Sequence, residues 1–94
     1  MTPMSNFYQS SRDLNQTRTD FLTTELSLGL TFANIALGSD DEVKTKRNRK
    51  NARTAYDCLL KFIGGVKLTP ADSARLRAGM EQLKSQLVAL GETF

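Results

Sequence analysis

The sequence predicts an all-α fold, an antiparallel up-down-up three-helix bundle with a loose N-terminal tail. Three observations carry that expectation. Apolar residues recur at helical spacing in three separate stretches, two turn signals divide those stretches, and no segment alternates with a period of two. The turn signals are Gly38-Ser39 and Gly64-Gly65 through Thr69-Pro70. Short connections of this kind make successive helices antiparallel neighbours.

Residues 1–10 are expected as the flexible tail, and residues 11–94 as a single three-helix domain. In the tail only Phe7 and Tyr8 could tuck against the bundle. The first helix is expected over about 11–37. Leu14, Phe21, Leu28 and Ile35 lie seven apart, with Phe32 and Ala36 widening the stripe. Leu22, Leu26, Ala33 and Leu37 form a second stripe beside it. Gly38 follows the last apolar residue, where a left-handed cap is favoured.

The second helix is expected over about 40–63. Ser39 and Glu42 have the spacing of a capping box, and the Asp40-Asp41-Glu42 carboxylates lie at the positive end of the helix dipole. Its apolar face is Ala52, Ala55, Tyr56, Leu59, Phe62 and Ile63, while its first half has Val43 as its one large apolar residue. The third helix is expected over about 70–90. Thr69 caps it, Pro70 suits the first helical position, and Asp72 completes the box. Leu76, Met80, Leu83, Leu87 and Leu90 follow at spacings of 4, 3, 4 and 3, a heptad seam. The expected core is Phe21, Leu28, Phe32, Ile35, Ala55, Tyr56, Leu59, Ile63, Leu76, Leu83 and Leu87.

Composition narrows the function classes. The chain has 94 residues, one Cys, no Trp and no His. Without His the commonest general base and metal ligand is missing. One Cys makes neither an intramolecular disulfide nor a thiolate zinc site. The carboxylates are scattered or serve as caps, and no glycine-rich phosphate loop is present. Catalysis, a metal and a cofactor are therefore not expected. Nor is a small-molecule substrate, and Cys58 reads as an inert thiol. The N-terminus reads as no secretory leader, and no stretch approaches about 18 apolar residues, so a cytoplasmic protein without a membrane span is expected.

Gly29, Ala33 and Ala36 on the first helix and Ala52 and Ala55 on the second allow close approach of the two helices. Glu25-x2-Leu28-Gly29-x2-Phe32 followed by Ala52-x3-Tyr56 resembles one tetratricopeptide-like helical hairpin, with Glu25 where that family carries Trp. The resemblance covers residues 25–59 and implies a hairpin of similar packing. The strings Phe32–Ala36 and Arg47–Asp57 are also similar to short uncharacterised bacterial helical proteins, which implies a bacterial origin and no particular activity.

Two candidate surfaces remain. The net charge is +3, and residues 38–53 hold six cations against three anions. Lys46, Arg49, Lys50 and Arg53 fall on one helical face at i, i+3, i+4 and i+7, a stripe able to track an anionic partner. Leu22 and Leu26 lie opposite the polar half of the second helix, where cover is thinnest, and are the candidate self-association site. The sequence thus reads as a small non-catalytic helical protein-interaction module, binding a protein partner or forming a homodimer. The alternative is a nucleic-acid-binding protein that uses the basic segment 44–53.

Overall fold

The computed structural model describes residues 3–94, with side chains from Asp13 onward. Three helices form the fold: α1 (Pro3–Gly38), α2 (Glu42–Phe62) and α3 (Pro70–Ala89), with a short 3-10 turn at Ile63–Gly65. No strand occurs among the described residues. Helix α1 starts eight residues before the boundary expected near residue 11. The expected tuck of Phe7 and Tyr8 lies outside the described side chains.

The caps explain the other boundaries. Asp41, and not Ser39, caps α2. Its Oδ1 accepts from the backbone N–H of Val43 at 2.9 Å and of Lys44 at 3.2 Å. The Ser39 hydroxyl instead accepts from the N–H of Asp41 at 3.1 Å, closing the turn that leads into the cap. A carboxylate reaching two orphan donors at the positive helix end outcompetes a hydroxyl that has a turn to hold. Thr69 caps α3 as expected, accepting from Asp72 N–H at 3.1 Å, with Pro70 in the first turn. Gly38 is not left-handed. Among the described residues the one positive φ is at Gly91, +97°. There Glu92 N–H donates to Leu87 O and Gly91 N–H to Val88 O, both at 2.9 Å, which is a Schellman motif.

The helix directions follow from side-chain bonds. Asn15 Nδ2 donates to Lys67 O, Arg75 Nη2 to Thr23 Oγ1, and Gln86 Nε2 to Asn34 Oδ1, each pair separated by 52 residues. A constant offset means that α3 runs parallel to α1, in register over its whole length. The Phe21 and Phe62 rings meet edge to face at 6.3 Å, and further along α1 Gly29 lies against Ala55, so α2 runs antiparallel to α1. The up-down-up order is thus the observed one.

The core differs from the expected set on α1. Ala55, Tyr56, Leu59, Leu76, Leu83 and Leu87 are buried as expected. Phe32 and Ile63 are partly buried against the core. Phe21, Leu28 and Ile35 are exposed, and their place is taken by Leu22, Leu26, Ala33 and Ala36. The reason is spacing and size. Leu22, Leu26, Gly29, Ala33 and Ala36 repeat at 4, 3, 4 and 3, the spacing of Leu76, Met80, Leu83, Leu87 and Leu90 on α3. Two parallel helices with matched spacing stack in layers, and the small residues of α1 receive the large ones of α3. A Cβ on Gly29 would lie 2.7 Å from Leu83 Cδ2 and 3.1 Å from Ala55 Cβ, so both neighbours close onto this point. The Leu14–Ile35 stripe alternates its large residues with threonines and not with glycine or alanine, and admits a helix less closely. On α2 the buried Ala52 and Ala55 complete the close contact, and the polar first half buries Asn48, whose Nδ2 donates to Lys44 O at 2.9 Å.

Candidate interaction surfaces

The surface most unlike ordinary solvent-facing protein is the outward side of α1. Leu14, Phe21, Leu28 and Ile35 are 37% to 53% exposed, in a line along the helix. Thr17, Thr24 and Thr31 follow each of the first three by three residues and are exposed as well. The Thr17 and Thr31 hydroxyls donate back to the carbonyls of Asp13 (2.8 Å) and Ser27 (2.9 Å), which satisfies them within the helix. Sequence reasoning named the four large residues but placed Phe21, Leu28 and Ile35 in the core, and it missed the threonines. The signal was present: two stripes on one helix, of which only one had the small residues needed for tight packing.

Between this outward stripe and the buried face run Arg18, Glu25 and Phe32. Beside it, at the end of α2, Phe62 stays half exposed against Phe21. Arg18, Phe21, Leu22, Phe62, Gly65 and Val66 line an open groove of about 410 Å³. Leu22 and Leu26, the expected self-association pair, are 0% and 6% exposed and cannot meet a partner. Leu26 faces α3, where a Cβ on Gly79 would run into its methyls.

Two apolar faces on one helix also change its bulk hydropathy. Asp13–Gly38 is long and apolar enough to cross a bilayer by length and composition alone, a test that the core helix of a bundle also passes. Glu25 interrupts the apolar run, so the stretch escapes notice as a continuous block. Its average hydropathy comes from adding the buried stripe to the exposed one.

The basic stripe is divided by the structure. Arg49 and Arg53 turn toward the chain's C-terminal end. Arg49 Nε donates to Glu92 Oε2 at 2.6 Å, and Arg53 Nη1 to Glu92 Oε1 at 3.3 Å and Thr93 O at 2.8 Å. The Phe94 ring lies under the Arg53 guanidinium at 4.1 Å and against the Tyr56 ring at 5.1 Å. The left-handed Gly91 is what turns Glu92 back onto α2. Lys46 pairs with Glu42 at 3.6 Å on an open surface, where an ion pair holds little. Lys50 is exposed. The four expected anion-binding residues therefore form no single free stripe, because two of them are held by one carboxylate.

Cys58 is partly buried on α2. Burial pushes its thiol pKa up, Glu25 adds to that, and Lys61 opposes it. A thiol held protonated is a poor nucleophile. Among the described residues no three of His, Cys, Asp and Glu gather where they could hold a metal ion. No family model, curated protein or solved structure matches this chain. The likeness to a tetratricopeptide hairpin rests on Leu28, Gly29, Phe32, Ala52 and Tyr56 alone.

Proposed function

We propose that this protein is a small non-catalytic helical interaction module, and that the outward stripe of α1 is its binding element. The supporting observation is the exposed, strictly seven-residue spacing of Leu14, Phe21, Leu28 and Ile35. A helix that already buries one complete seam has no folding need for a second. Apolar side chains grouped on a surface mark interaction sites more often than scattered ones do. A partner helix laid along α1 would read them as successive knobs.

The test is retention of proteins from a bacterial extract on the immobilised chain, with and without nuclease. Phe21→Glu with Leu28→Glu should abolish specific retention while the far-UV circular dichroism stays unchanged. Retention that survives this pair but disappears with nuclease, and weakens steeply with salt, would support nucleic-acid binding through segment 44–53 instead.

A further inference from the structure

We propose that the outward stripe of α1 is closed by a second copy of this chain, the two α1 helices lying antiparallel about a two-fold axis. The proposal rests on the interaction-module reading and names its partner. Three features of the stripe point to it.

The first is length. The alternation Leu14, Thr17, Phe21, Thr24, Leu28, Thr31, Ile35 keeps the 3-4 spacing of a coiled-coil seam. It covers 22 residues, roughly 33 Å of helix at 1.5 Å per residue. Only another helix stays in contact with a seam that follows one face so far.

The second is size. Each of the first three large residues, Leu14, Phe21 and Leu28, is followed by a threonine. Parallel copies would stack like on like, Phe21 on Phe21 and Thr24 on Thr24, alternating overfilled and underfilled layers. Antiparallel copies mix the two positions. Leu14 then faces the partner's Thr31, Phe21 the partner's Thr24, and Leu28 the partner's Thr17. Each layer holds one large and one small residue, and two-fold symmetry repeats each of them.

The third is charge. Arg18 and Glu25 flank the seam on one side, and among the described residues neither has an ion-pair partner. The antiparallel arrangement sets Arg18 beside the partner's Glu25, twice by symmetry. The parallel arrangement would set Asp20 beside the partner's Glu25, two like charges. Phe62 lies alongside Phe21 and widens the contact at the central layers. The surface covered on both copies is on the order of 1,000 Å², the lower bound for a specific interface. Dissociation in the micromolar range is therefore expected.

Sedimentation equilibrium from about 1 to about 500 µM brackets that range. The mass should rise from 10.4 kDa toward twice that value. Arg18→Glu or Glu25→Arg alone should weaken the dimer about tenfold, since each reverses two pairs. The double variant R18E/E25R should restore it. In a Cys58→Ser background, Leu14→Cys and Thr31→Cys chains carrying tags of different mass should give the mixed disulfide on oxidation. A mass of 10.4 kDa at every concentration overturns the proposal. So does a dimer that F21E/L28E leaves intact, or one giving only like-with-like disulfides. If the wild type stays monomeric while F21E/L28E still abolishes retention from extract, the second copy is wrong and the module reading stands.

Discussion

Gly79 gives the sharpest test of how α1 and α3 meet. Glycine in a helix interior ordinarily costs about 1 kcal/mol relative to alanine, so Gly→Ala at an open position stabilises by that amount. Gly79 is inside α3, and its missing Cβ is where the Leu26 methyls sit. Leu26 is 6% exposed, so its methyls can move aside only by pushing against other core side chains. Overpacking a core of this kind costs about 1–3 kcal/mol. Set against the propensity gain, Gly79→Ala should destabilise the protein by about 0–2 kcal/mol. Leu26→Ala by itself should cost about 2–5 kcal/mol through the cavity it leaves. With the Leu26 methyls and Cγ gone, the three atoms nearest the added Cβ are removed, and Gly79→Ala in the Leu26→Ala background should stabilise by about 1 kcal/mol. The change of sign is the signature. Urea unfolding followed by circular dichroism at one fixed protein concentration reads all four corners of the cycle. Equal effects of Gly79→Ala in both backgrounds, within about 0.5 kcal/mol, would mean that Leu26 does not lie against α3.

Other outcomes follow from the same packing. Leu83→Ala, at a fully buried position, should cost about 2–5 kcal/mol, and a loss below about 0.5 kcal/mol would remove it from the core. Glu92→Gln should cost about 1–2 kcal/mol because it weakens charge-assisted bonds to both Arg49 and Arg53, which thermal unfolding would detect. Lys46→Gln with Lys50→Gln should leave the melting temperature nearly unchanged, while adding Arg49→Gln should lower it. Cys58 should alkylate more slowly at pH 8 in the folded chain than in urea, since burial favours the protonated thiol. Equal rates would place the thiol in open solvent.

The sequence by itself determined the helices and their order. Period-seven and 4-3 apolar spacings, Thr69-Pro70 and the glycine stops are local signals, and local signals decide where a helix begins and which residues share a face. The α3 seam was legible for the same reason, since it is the only apolar stripe on its helix. Tertiary structure alone decided which of the two α1 stripes is buried. Both have the periodicity of a core face, and hydrophobicity slightly favours the exposed one. The choice depends on what approaches: the leucines of α3 need small residues opposite, and Gly29, Ala33 and Ala36 lie on the other stripe. The fate of the basic face was likewise beyond local reading. Arg49 and Arg53 are separated from Glu92 by about forty residues of chain, and the left-handed turn at Gly91 brings that carboxylate to them.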